Sequence, residues 1–283
     1  MFKFNFILLF IALFSQAKGQ SSLIFKLNFL PNQEYEYTTK TATKVTINFE
    51  GNQDLIDALK LQGFNLPATV ISESEIKSVT RTKKKKDNKI PFSMEYVSID
   101  AYQNFNNRES KIESPLEGTI IYGNYENKTQ SYLSKVDSII NYKLDTKNKT
   151  LLKHSIEKLV DTIYSEKALK VGESFKKGAV MEVPIPSYGQ LKFMATTRYI
   201  LKEINNGKAY FETDTDLKLL IPDNFVEIMP PSGGCGKAVY DIMNNIVSMD
   251  QTEYTIPVKI KKENLTIIAQ INTQNSDTVN LKN

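Results

Sequence analysis

The chain has 283 residues, with 36 Lys and Arg against 32 Asp and Glu, one His and one Cys. Its formal charge of +4, half of it carried by Lys3 and Lys18, lacks the basic excess that a dedicated nucleic-acid binder needs. Hydrophobic residues at 41% exclude global disorder, and a lone cysteine excludes both an internal disulfide and a cysteine metal cluster.

Residues 1–19 read as a secretory signal peptide: Lys3, then an apolar run from Phe6 to Phe14, then the small residues Ala17 and Gly19 ahead of a cleavage point after Gly19. No later run is long and apolar enough to be a transmembrane segment. The expectation is a secreted or periplasmic product, residues 20–283, folded as a single β-rich domain.

In chain order, Leu23, Phe25, Leu27 and Phe29 alternate as a strand, and Pro31-Asn32-Gln33 forms a turn. Tyr35, Tyr37, Thr39, Thr41, Thr43, Val45, Ile47 and Phe49 then share one face of a long strand. Asn52 caps a short helix at about 52–62, with Leu55, Ile56 and Leu59 on one side. Strands follow at about 69–82 and 90–99, with Phe92, Met94 and Tyr96 facing one way, then a polar loop at 104–117. "EGTIIYGNY" restarts the sheet.

One long helix is predicted at about 149–167. Leu152, Ile156, Leu159, Val160 and Ile163 recur at helical spacing to face the sheet, with Lys153, Glu157 and Lys158 toward water. Beyond it the pattern returns to β, with a hairpin turned at Asn205-Asn206-Gly207 and further strands to the C-terminus. The fold class is therefore mainly β (α+β): a large curved antiparallel sheet, or two related β halves, with one long and one short helix.

The two-halves reading comes from spacing. Phe92 lies 119 residues before Phe211, and "GTIIYGNYENK" from Gly118 resembles "GKAVYDIMNN" from Gly236. "NQEYEY" and "VGESFK" look like equivalent strand entries. The halves are expected at 23–145 and 170–283; chance similarity among hairpins is the competing reading.

The run Lys83–Lys86, followed by Asp87-Asn88, occupies the place that Asn-Gly takes in the later hairpin. It reads as a solvated tip that resists edge-to-edge pairing, against a local patch for an anionic surface. "PPSGGCGKAVY" is not a phosphate loop: Pro231 and Ala238 stand where that motif needs Gly and Ser/Thr, so it reads as a glycine-rich bend entering a strand. Cys235 reads as a small buried thiol and His154 as a surface imidazole, and no nucleophile-base pair is apparent. Glu212, Asp214 and Asp216 share one strand face, expected to be solvated and balanced by Lys208 and Lys218, against a calcium-binding or acid/base stripe. Asn127, Asn148 and Asn264 match the glycosylation acceptor pattern.

"NQEYEYTTKT", then "EKALKVGESFKKG" with its strand entry from Lys170 to Phe175, then "GCGKAVYD", resembles uncharacterised secreted β-rich proteins of Gram-negative bacteria. The architecture is also similar, at fold level, to the curved sheets of lipoprotein carriers. That likeness carries no function by itself; a concave, apolar sheet face is expected to make this a non-catalytic binding protein for a lipid, lipoprotein or other hydrophobic ligand. The alternative is an interaction or structural component of the cell envelope without a small ligand; an enzyme ranks last. No catalytic, cofactor or metal residue is assigned, and no nucleic-acid partner is expected.

Overall fold

The computed structural model describes residues 22–26, 28–61, 65–105, 108–127, 132–159, 167–185, 189–220, 225–262 and 265–282. Two meanders make the molecule. The first comprises β2 (Glu34–Gly51), β3 (Ala68–Thr82), β4 (Lys89–Phe105), β6 (Ile120–Asn127) and β7 (Tyr132–Ile140), with the short β5 (Arg108–Lys111) on β4. The second comprises β9 (Ser174–Ile185), β10 (Gly189–Asn205), β11 (Lys208–Leu219), β13 (Gly233–Asp241), β14 (Ile246–Lys262) and β15 (Leu265–Lys282), with β12 (Val226–Ile228) on β14. Every pairing is antiparallel.

The meanders join where β2 lies beside β15, in register from Glu34↔Lys282 to Gly51↔Leu265. The sheet thus runs β7-β6-β4-β3-β2-β15-β14-β13-β11-β10-β9, thirteen strands with its two branches. Among the described residues its ends β7 and β9 each have one neighbour, so the curved sheet stays open.

Period-2 alternation decides the inner face. In β11 it is strict: Ala209, Phe211, Thr213, Thr215 and Leu217 are buried and their neighbours from Lys208 to Lys218 exposed. Three apolar clusters result. The first joins Val45 and Ile47 of β2 to Phe193 of β10, Leu217 of β11, Ile256–Ile260 of β14 and Ile267–Ile271 of β15. The second gathers Tyr199, Leu201, Phe211, Ala238 and Tyr240 around Phe25. The third gathers Ile90, Phe92, Ile121, Tyr125 and Val136, with Phe29 against it.

Between the clusters lies a polar waist. None of residues 36–44 of β2, 71–82 of β3 or 272–282 of β15 belongs to a cluster. The threonines of "YTTKTATKV" occupy this stretch, and Thr43 Oγ1 meets Thr273 Oγ1 at 3.1 Å.

The two helices among the described residues follow their caps. Asn52 Oδ1 accepts from Asp54 N–H at 2.9 Å to start α1 (Gln53–Leu61). Asp145 Oδ1 accepts from Asn148 N–H at 2.7 Å and starts α2 (Thr146–Leu159) earlier than apolar spacing suggested. Ile156 is buried and Leu152 half-buried against the third cluster. Glu157 does not simply face water: its Oε1 accepts Val136 N–H at 3.0 Å, while Ser134 Oγ donates to Ile156 O at 2.9 Å. Val160 and Ile163, and the side chains of Lys158 and Leu159, lie outside the described residues.

Two expectations are corrected. The loop at 104–117 is shorter, because β4 runs on to Phe105 and Arg108–Lys111 folds back on it. The strand from Leu23 to Phe29 is mostly a strap. Only Ser22–Leu23 (β1) pairs as a strand, with Leu169–Lys170 (β8). Leu27 lies outside the described residues; apart from a single bridge at Lys26, residues 24–26 and 28–33 leave the ladder, with Phe25 and Phe29 entering different clusters.

Candidate functional site

A trough of about 920 Å³ crosses the waist on the face opposite the clusters. Register explains its lining. Lys40 pairs with Glu75 and Ser276, Ser276 with Gln251, and Gln251 with Lys237, so one polar row crosses β2, β3, β15, β14 and β13. The next row runs Glu73, Ala42, Gln274, Glu253, Cys235. Asp100 and Tyr102 of β4 form one wall, Glu212 of β11 the other.

Most of these charges are already paired. Glu75 meets Lys40 at 3.0 Å and Lys77 at 2.8 Å, which hold its carboxyl below the usual range chiefly through the Lys77 hydrogen bond. Glu212 meets Lys202 at 2.9 Å, and Asp100 meets Lys111 at 3.5 Å. Glu73, Glu253 and Lys237 have no ion pair with another described residue, and Gln274 Nε2 donates to Glu253 at 3.2 Å. What remains open is two carboxylates and one ammonium above a floor of amides and hydroxyls.

The inner face of the waist carries a second polar group. Asp250 and Asp277 are register partners on β14 and β15. Burial, then the Asp277 charge, raise the Asp250 carboxyl to about 6, while Lys177 opposes the shift. Burial lowers Lys177 and, reinforced by Asp250, raises Tyr199. Asp250 Oδ1 and Thr213 Oγ1 are buried without a hydrogen-bond partner.

The residues singled out in the sequence fall as follows. Lys83–Lys86 are exposed at a hairpin tip whose Asp87 and Asn88 have φ of 48° and 62°, and Lys86 and Lys89 exchange two 2.8 Å backbone bonds. Glu212, Asp214 and Asp216 are exposed, but Lys202 and Arg198 across the strand pair balance the first two rather than Lys208 and Lys218; Arg198 meets Asp214 at 2.7 Å. Cys235 is exposed rather than buried, because Ala238 and Tyr240 set the inward parity of β13 and turn the thiol into the trough.

The glycine-rich bend is itself strand, beginning at Gly233. Gly234 and Gly236 are needed there: a Cβ on either would collide with the backbone of β14, and at Gly234 with the Tyr254 ring. His154 lies on α2, exposed, 4.0 Å from Glu157. Of the acceptor asparagines, Asn148 is exposed in α2, while the Asn127 side chain and Asn264 lie outside the described residues. Among the described residues no group of three His, Cys, Asp or Glu is placed to hold a metal, and no helix is long and apolar enough to cross a membrane. Sequence reading missed the trough because its rows join residues over 200 positions apart, such as Lys40 and Ser276. The two-residue spacing of Lys40, Ala42, Glu73 and Glu75 was its only local signal.

No family model and no curated protein matches the chain. Among solved structures it is similar to the translocator domain of autotransporter NalP from Neisseria meningitidis, with 8% identity over 89% of this chain and 90% of that one and a TM-score of 0.34. It is also similar to OccK7 (OpdD) of Pseudomonas aeruginosa, with 6% identity over 88% of this chain and 99% of that one and a TM-score of 0.22. Likenesses of that size carry no argument; the mainly β fold rests on its own register.

Proposed function

We propose that the chain is a secreted or periplasmic, non-catalytic binding protein whose ligand lies in the trough across the waist. The ligand is an extended polar molecule, with hydroxyl or amide groups and some positive charge, rather than a lipid. The observation that carries this reading is the lining. Glu73, Glu253 and Lys237 stand without ion-pair partners among the described residues, around Gln251, Gln274 and Ser276. A lipid site would instead need a continuous apolar wall. The non-catalytic part is supported by the separation of Cys235, on β13, from His154, on a helix packed against β7.

Titration calorimetry with neutral and amino-substituted oligosaccharides and lysine-containing peptides tests the reading. A binder should lose about tenfold or more in affinity on Glu73→Gln or Glu253→Gln, the loss of one charge-assisted hydrogen bond. A lipid that stays on the protein in native mass spectrometry, with no polar binder, would return the hydrophobic reading. The envelope-interaction alternative predicts neither.

A further inference from the structure

The inner face of the waist is short of positive charge. Asp250 of β14 and Asp277 of β15 stand opposite each other in register. On its other side Asp250 pairs with Ala238 of β13, and two residues along that strand Gly236 pairs with Thr213 of β11. Only small side chains therefore lie between Asp250 and Thr213. Thr213 is 4% exposed, and its Oγ1 lies 2.8 Å from where a Cβ on Gly236 would stand, so the hydroxyl leans over β13 toward β14. It has no hydrogen-bond partner among the described residues, and neither has Asp250 Oδ1. Buried polar atoms left in that state are exceptions that point to a missing partner.

The neighbours do not supply one. Lys177 of β9, four strands away along the sheet, acts electrostatically on Asp250, so the second meander curls until its edge faces β14. Among the described residues Lys177 forms no ion pair with it, and burial lowers the ammonium's own pKa. Tyr199, the register partner of Thr213, feels Asp250, Asp277 and Tyr254, and burial first of all keeps its phenol protonated. Two carboxylates thus face one ammonium. Asp277 is exposed, which opens the gap to solvent.

We propose that the gap between Asp250, Asp277 and Thr213 binds the primary ammonium group of a small soluble amine. An ammonium carries three donors, and these three side chains offer oxygen acceptors on three sides. A neutral hydroxyl would leave the charge unanswered. A hard metal ion fits worse, because it asks for about six oxygens or more and only two carboxylates meet here. The site lies on the face opposite the trough and does not depend on it.

Binding must be linked to pH. The ammonium pairs with ionised Asp250, whose carboxyl is raised to about 6 by burial and then by Asp277, against Lys177. Asp277 from β15, Lys177 from β9, Tyr199 from β10 and Tyr254 along β14 are the titratable groups around it. Affinity should therefore rise about tenfold from pH 5 to pH 7 and then level off.

Titration calorimetry of the full chain with 1,4-diaminobutane at low ionic strength tests this, with 1,4-butanediol as the uncharged control. The diamine should bind saturably, with that pH profile, and the diol should not bind. Asp250→Asn should weaken diamine binding about tenfold or more and flatten the profile, and Thr213→Val should weaken it about fivefold. Glu73→Gln, in the trough, should leave it unchanged. Absence of saturable binding by the wild type, or heat from calcium chloride alone, overturns the proposal. Diamine binding that survives Asp250→Asn but is lost in Glu73→Gln also overturns it and assigns the amine to the trough.

Discussion

The two meanders build the same cup from different residues. In the first, Phe92 of β4 pairs in register with Gly123, and Ile90 with Tyr125. In the second, Phe211 of β11 pairs with Ala238, and Ala209 with Tyr240. Each has a Phe opposite a small residue, a Tyr two positions on, and an aromatic from the meander's opening strand, Tyr35 or Phe175. The small residue is required: a Cβ on Gly123 would sit 2.7 Å from the Phe92 ring. The cups differ in filling. Phe25 is wholly enclosed, whereas Phe29 is half-buried and the first cup leans on α2 as well. One arrangement of strands thus tolerates two packing solutions, provided volume is conserved.

That difference is broken most severely at Phe25. Phe25→Ala removes a fully buried ring amid four other aromatics and should cost about 3–5 kcal/mol. Phe29→Ala should cost about half as much, since much of its surface is already in water. Denaturant titration of both variants checks this; equal losses would mean that the two cups bear equal weight.

The first cup's dependence on α2 is tested at Ile156, which has no helical counterpart among the described residues of the second meander. Ile156→Ala should cost about 2–4 kcal/mol, and Glu157→Gln about 1 kcal/mol, through the bond to Val136 N–H. Unfolding curves that leave both variants at wild-type stability would show that the helix contributes nothing there.

Much of the scaffold was legible. Phe92 and Phe211, 119 apart, each stand opposite a small residue, Gly123 and Ala238, and Tyr35 and Phe175 each lie on the opening strand of a meander. Gly118–Tyr122 and Gly236–Tyr240 resemble each other in letters but differ in burial: Tyr122 is 39% exposed and Tyr240 only 1%. Tyr125, three residues along, pairs with Ile90 two positions beyond Gly123, as Tyr240 pairs with Ala209 two positions beyond Ala238. Odd offsets reverse the face of a strand, so similarity of letters cannot fix register where turns of different length intervene. The trough and the strap were not legible, because both depend on contacts between residues far apart in the chain, such as Lys40 with Ser276 and Phe25 with Tyr240.

A second asymmetry is electrostatic. Asp250 sits on the inner face of the second meander with its carboxyl raised to about 6. The folded state therefore holds a proton that the unfolded chain releases near pH 4. Stability should fall as pH rises from about 4 to about 6, then level off. Melting temperatures across that range should flatten in Asp250→Asn relative to the wild type. Parallel profiles would show that another group governs the slope.

The smallest effect belongs to the hairpin tips. Both adopt two consecutive positive φ values, at Asp87-Asn88 and at Asn206-Gly207, the turn that matches strand twist. The side chains of Lys83–Lys86 add exposed ammonium groups ahead of the first, while Lys83 and Lys86 contribute backbone bonds to Pro91 and Lys89 that any non-proline residue supplies. Replacing all four by Ser should therefore shift stability by less than about 0.5 kcal/mol, as exposed sites do. Gly207→Ala, which forces a Cβ into φ 72°, should cost about 1 kcal/mol at the equivalent tip. If the lysine variant keeps its stability but no longer binds vesicles containing anionic lipid that the wild type binds, the run is a surface-binding patch rather than a solvated tip. If it unfolds, the lysines make contacts that the exposed tip does not provide.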